Sequence, residues 1–164
     1  MHMNDATWRR HASPWSVWTR VATLPVLVLA IWSRAWLGWW SLAPIALTIV
    51  WISWNPRAFP PPRDTNNWGS KATFGERVWL ARTQTPIPRH HAVAARVLCL
   101  VSIAGLPPLV YGLITLHLWP TLAGTAIVML GKLWFCDRMV WLYEDMKHAH
   151  REYGDWLQEA PPGP

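Results

Sequence analysis

The sequence predicts an all-α integral membrane protein with four transmembrane helices and an amphipathic helix in its central loop. Three observations carry that prediction. First, the chain runs thirty-five residues from Val97 to Gly131 without a single Asp, Glu, Lys or Arg. An ionised group in hydrocarbon costs several kcal/mol unless it is paired or reaches water, so a bilayer demands such a stretch and a soluble domain does not. At about 20 residues per crossing it is too long for one helix and suits two. Second, the sequence holds 15 Trp, a residue that prefers the membrane–water boundary, where its ring is buried and its N–H stays wet. They gather where spans would begin and end: Trp15 and Trp18, then Trp32 to Trp40, Trp51 and Trp54, and finally Trp119, Trp134 and Trp141. Third, the cations fall almost entirely on one side of the topology that these two signals define.

The composition agrees, with 52% hydrophobic and 15% charged residues. Mean hydropathy is only +0.09. The polar residues that lower it are concentrated at the start, in Asn55–His91 and after Asp137. A net charge of +6 raises the question of nucleic acid, but the cations are scattered among Trp and Pro rather than aligned on a face, so no nucleic-acid partner is expected. Cys99 and Cys136 both lie in apolar segments, which indicates neither a disulfide framework nor a cysteine metal site. No small-residue cleavage site follows the first apolar run, so no removable signal peptide is expected.

In chain order, residues 1–16 form an N-terminal cytoplasmic arm, and residues 17–152 a single membrane domain. The first span, about 17–33, has a charge-free core of only thirteen residues, Val21–Ser33. Arg20 must therefore snorkel to the boundary; an interfacial or re-entrant segment is the alternative. The second span, about 35–54, belongs to a charge-free run that ends at Arg57. Arg34, between the two, suits a tight helical hairpin. In the loop 55–91, Pro60-Pro61-Pro62 stiffens the path as polyproline. Thr65 or Asn66 caps a helix over 68–82, whose Trp68, Ala72, Val78 and Trp79 fall on one side while Lys71, Glu76 and Arg82 stay wet. Pro86-Ile87-Pro88 stops it. The third span, about 92–116, is kinked or unwound at Pro107-Pro108. Trp119-Pro120 marks the next turn. The fourth span covers about 121–143 and its helix continues in water through Glu152, before a Pro-rich flexible tail, 153–164. Gly124, Ala126 and Gly131 let helices approach closely.

Orientation follows from the cations. Four spans place both termini and the central loop together, and thirteen of the 15 Lys and Arg go with them. Arg34 alone faces the other side, and Lys132 lies within the membrane. That asymmetry puts the termini in the cytoplasm, the protein being in a cell membrane.

Two places attract chemistry. Lys132 sits about eleven residues into the fourth span, or ~16 Å at helical rise, with Val128 and Cys136 one turn away and no acidic partner. An intramembrane ionisable group is a candidate by default, against the plain alternative that its stem reaches an interface. Beyond it, Asp137, Trp141, Glu144, His148 and Arg151 share one face at a period of 3.6. Glu144–His148 and Asp145–His148 each set a carboxylate beside an imidazole. The topology brings His90-His91 to the same boundary, so His90, His91, Glu144 and His148 are weak candidates for a Zn or Fe site. No H-E-x-x-H occurs, and adjacent histidines diverge on a regular helix. The bland reading is a solvated face with Arg138 pairing its acidic neighbours, each pair worth a fraction of a kcal/mol; no cofactor is required. His2, His11 and His117 look incidental. No nucleophile elbow, phosphate loop or dinucleotide fingerprint occurs.

The segments Asn55-Pro56-Arg57-Ala58-Phe59-Pro60, Trp68 to Leu80, Ile87 to His91 and Asp137 to Met146 resemble a group of small multi-pass prokaryotic membrane proteins classed only as a domain of unknown function. The resemblance covers most of Trp51–Met146. It implies a multi-pass membrane protein and transfers no activity. A non-catalytic membrane subunit, scaffold or assembly factor is the leading expectation, working in the lipid bilayer with another membrane protein or in a homo-oligomer. The rival is a membrane-embedded enzyme or metal-binding protein acting on a lipid-soluble substrate at the cytoplasmic boundary. Transport around Lys132 would require oligomers, since four helices scarcely enclose a path.

Overall fold

The computed structural model describes residues 5–158, and every regular element among them is helical. In chain order these are α1 (Asp5–His11), α2 (Pro14–Trp32), α3 (Arg34–Leu37), a 3₁₀ turn (Gly38–Ser41), α4 (Leu42–Ala58), α5 (Trp68–Leu80), α6 (Arg89–Ala104), α7 (Leu106–Thr115), α8 (Leu118–Met146) and α9 (Arg151–Gly154). Three runs are long and apolar enough to cross a membrane: Pro14–Ala58, Arg89–Thr115 and Leu118–Met146.

The first of these is 45 residues long and doubles back on itself. Its two ends meet where the Ser16 hydroxyl donates to Asn55 Oδ1 at 2.9 Å and the Asn55 amide donates to the Thr19 hydroxyl at 2.7 Å. Helix α2 starts at Pro14, where a missing N–H costs nothing because first-turn donors have no helical partner. The return helix begins at Leu42, not near 35. Gly38 adopts φ +55°, a backbone state that breaks the helix, so Arg34–Ser41 is consumed by the turn. At its other end α4 runs on through Asn55-Pro56-Arg57, expected as loop, because buried Asn55 is pinned to α2. Arg34 leans from this turn onto the end of α7. Its guanidinium donates to the carbonyl of Leu113 and, at 2.6 Å, to that of Ile114, satisfying acceptors that the helix end leaves open.

Helices α6 and α7 run antiparallel to α8. As expected from Pro107-Pro108, the run Arg89–Thr115 is interrupted there: α6 ends at Ala104, Gly105 stands between, and the two prolines fall in the first turn of α7, where they offer no N–H to the last carbonyls of α6. The turn into α8 is Leu116-His117, with Leu116 in the left-handed region at φ 56°. Trp119-Pro120, expected to form that turn, begins α8 instead, in the one part of a helix that accepts proline freely. The backbones come close at small residues: a β-carbon on Gly124 would collide with the backbone of Leu109, and one on Gly131 with Ser102. Ala126 is exposed and takes no part.

Helix α5 lies on the far half of α8. Its cap is Asn67, not Thr65 or Asn66: Asn67 Oδ1 accepts from the Ser70 N–H at 3.0 Å, and the helix ends at Leu80. The expected apolar side is present but wider, with Phe74 and Gly75 buried as well as Ala72 and Val78. That face packs on protein. Gly75 sits so tightly against the Met139 backbone that no β-carbon fits. Val78, Ala95, Met139, Leu142, Met146 and Tyr153 form the core beneath it.

Both flanks of the chain close over α5. Ala12, after α1, is buried with Phe74 and Tyr143, and its carbonyl accepts from Ser70 Oγ at 2.7 Å. Helix α8 stops at Met146 instead of continuing to Glu152, since the chain turns there to bring Tyr153 back. The Tyr143 hydroxyl donates to the Tyr153 carbonyl at 3.0 Å. The segment assigned to a flexible tail thus begins docked: the Thr65 N–H donates to the Gln158 carbonyl at 2.8 Å, and the Gln158 N–H to Thr65 Oγ1 at 2.6 Å. The remainder of that tail, 159–164, lies outside the described residues, as does His2.

Candidate functional site

A convergence of two imidazoles and a carboxylate sits where the start of α6 meets the end of α8. Pro88 leads into α6, so His90 and His91 occupy its first turn. On a regular helix successive side chains diverge by about 100°. Here the two rings tilt together with centroids 4.1 Å apart, and both reach across to α8. His91 Nε2 lies 2.8 Å from Asp145 Oδ2, and His90 Nε2 lies 3.9 Å from the same oxygen. His91 is 1% exposed, whereas the His90 and Asp145 side chains are 66% and 51% exposed. One ligand is therefore held by the core and two are free to adjust. Nδ1 of His91 is buried without a hydrogen-bond partner. Two imidazoles and one carboxylate form a donor set that Zn²⁺ accepts.

The other expected site residues separate. Glu144 turns away from the histidines and pairs with Lys71 of α5 at 2.7 Å and with Lys147. His148 is exposed and enters no ion pair among the described residues. It lies past the end of α8, so the predicted face through Glu144, His148 and Arg151 stops short. Asp137 accepts from the Trp68 ring N–H at 3.2 Å, and Trp68 stacks on Trp18 of α2. Arg138 forms none of the ion pairs among the described residues, and its buried Nε has no partner.

Lys132 is not alone. It lines a cavity of about 40 Å³ together with Arg20, Glu76 and Cys136. That places it level with Arg20, the residue expected to snorkel, and beside an acidic residue of α5.

Two features escaped sequence reasoning. His11 is buried and shares a hydrogen bond with Arg20 Nη1. Burial, then the charges of Arg20 and Lys132, push its pKa from 6.5 down to about 3, so the ring is neutral and accepts from the guanidinium. A larger cleft, about 270 Å³, opens between α1, α5 and the C-terminal segment. Arg77 stands in it, 4.3 Å from the Trp156 ring centroid and 2.6 Å from Asp5. The cleft has no local sequence signal, because Asp5 and Arg77 are 72 residues apart; His11 and Arg20 are only nine apart, but the burial of His11 depends on how the arm packs and is not legible from that spacing.

No curated protein and no solved structure matches the chain. Residues 1–161 match the Family of unknown function (DUF6653), and the chain belongs to that family.

Proposed function

We propose that this protein is a four-span integral membrane protein with both termini in the cytoplasm, serving as a non-catalytic subunit, scaffold or assembly factor for another membrane protein. The observation that carries the reading is the state of α4. It uses one side against α2, burying only Thr48 and Asn55, and leaves Leu42, Leu47, Ile49, Val50, Ile52 and Trp54 exposed. At the hairpin turn Trp39 and Trp40 are 86% and 82% exposed, too open for a finished core and well placed for a membrane boundary or a neighbouring protein. The Ser16–Asn55–Thr19 clamp supports two crossings in the first apolar run, since it holds the two ends of that run side by side.

Topology is tested by single cysteines in a background lacking Cys99 and Cys136. Gln84 and Gly154, both exposed, are expected to label from the cytoplasm, and Trp119 from outside. Labelling of all three from one side overturns the four-span arrangement. For the subunit role, gentle solubilisation of native membranes should yield the protein in a stable complex with a distinct integral membrane protein, lost on changing Ile49 and Ile52 to Ala. Migration as a lone chain or a homo-oligomer in several mild detergents overturns it.

A further inference from the structure

We propose that His90, His91 and Asp145 form a binding site for one divalent transition-metal ion, of the Zn²⁺ class, that ties the start of α6 to the end of α8. The inference is independent of the subunit reading and stands on geometry. One ligand atom from each residue lies within 4.8 Å of the others. Tetrahedral Zn²⁺ with bonds of about 2.0–2.2 Å holds its ligand atoms roughly 3.3–3.5 Å apart. The two separations, 2.8 Å for His91–Asp145 and 3.9 Å for His90–Asp145, bracket that spacing. An ion between them needs the first to widen and the second to close, each by about half an ångström.

The required movement falls on the right residues. His91 is fixed in the core, while His90 and Asp145 are exposed and able to rotate. Three protein ligands leave a fourth position for water, and the exposed side of the site provides access for it. The chemistry also excludes the neighbouring candidates: Glu144 is held by Lys71 and Lys147, and two ammonium groups beside it repel a dication. His148 is outside the cluster. In the absence of metal, the same site is explained as a hydrogen bond from His91 Nε2 to Asp145.

The test uses the full chain, purified in detergent, stripped with a chelator and titrated with Zn²⁺ against a chromophoric competitor. One Zn²⁺ per chain is expected, with Co²⁺ giving the visible absorption of a four-coordinate nitrogen–oxygen site. Loss of a supporting residue outside a ligand shell already costs 10–100-fold in affinity. Asp145→Asn and His90→Gln are therefore each expected to weaken binding by at least about tenfold, and His148→Ala to leave it unchanged. His90→Gln alters only an exposed side chain and keeps the test valid if Asp145→Asn fails to fold. Binding below about 0.2 Zn²⁺ per chain, or wild-type affinity in both ligand variants, overturns the proposal.

Discussion

The crossing of α5 over α8 makes a prediction whose sign depends on geometry alone. Gly→Ala inside a helix ordinarily gains up to about 1 kcal/mol, because glycine has more backbone freedom to lose. At Gly69 the added methyl would meet Pro14, Asn67 and Val17 at 3.4–3.5 Å, which is ordinary contact. Gly69→Ala should therefore be neutral or stabilising by a few tenths of a kcal/mol up to that limit, less than the full value because Gly69 is in the first turn. At Gly75 the methyl would fall inside the Met139 carbonyl group, which is backbone and cannot rotate away. The helices must separate by an ångström or more, loosening Val78, Met139 and Leu142. Overpacking of this kind costs roughly 1–3 kcal/mol, and subtracting the helix gain leaves Gly75→Ala destabilised by about 0.5–2 kcal/mol. Thermal unfolding of the purified protein in one detergent, followed by intrinsic tryptophan fluorescence, resolves the pair. A Gly75→Ala protein as stable as Gly69→Ala would refute the tight crossing.

The hairpin and the arm give two more predictions. Asn55→Leu removes both bonds to Ser16 and Thr19; at roughly 0.6 kcal/mol for an average interhelical bond in a membrane, it should cost about 1 kcal/mol and raise protease cleavage in the turn 33–41. Unchanged cleavage and melting would dismiss the clamp. His11 titrates near 6.5 when unfolded and about 3 when folded, so the unfolded chain binds the extra proton first. Stability is fully present above pH 6.5 and falls on acidification from 6.5 towards 3, by at most about 1.4 kcal/mol per pH unit. Melting temperatures measured across that window should decline less steeply in His11→Gln, and identical slopes would contradict a buried neutral imidazole.

Hydropathy and charge made the apolar runs legible, because a bilayer constrains every residue of a span and the constraint can be read one residue at a time. Turns were harder. Trp36 to Ser41 carries no charge, so hydropathy does not distinguish a turn at the boundary from the first turn of the next helix; Gly38 was the available signal. Asn55 read as the start of a loop since its partners, Ser16 and Thr19, lie 39 and 36 residues earlier. In the candidate site the histidines and the neighbourhood were legible, but the choice between Glu144 and Asp145 was not. Adjacent positions differ by about 100° around a helix, and only the placement of α5, which brings Lys71 to Glu144, decides which carboxylate is left for the histidines. The docked flanks were invisible because their contacts span 58 residues for Ser70–Ala12 and 93 for Thr65–Gln158.

Those separations order events during synthesis. The hairpin clamp closes across 39 residues, so α2 and α4 can lock together while the remainder of the chain is still unmade. Helix α5 leaves the ribosome next and finds none of its later partners. Met139 and Tyr143 follow more than sixty residues behind, and Gln158 follows Thr65 by 93. For that interval α5 has its contacts to the earlier chain, Trp68 on Trp18 and Ser70 on the Ala12 carbonyl, but the face that Met139 and Tyr143 will cover is open, and its amphipathic pattern suits a lipid surface as a temporary lodging for that face. A nascent chain arrested before α8 should therefore carry α5 bound to lipid and open to protease. Release past Gln158 should hide it, making protection of α5 a marker of completed assembly.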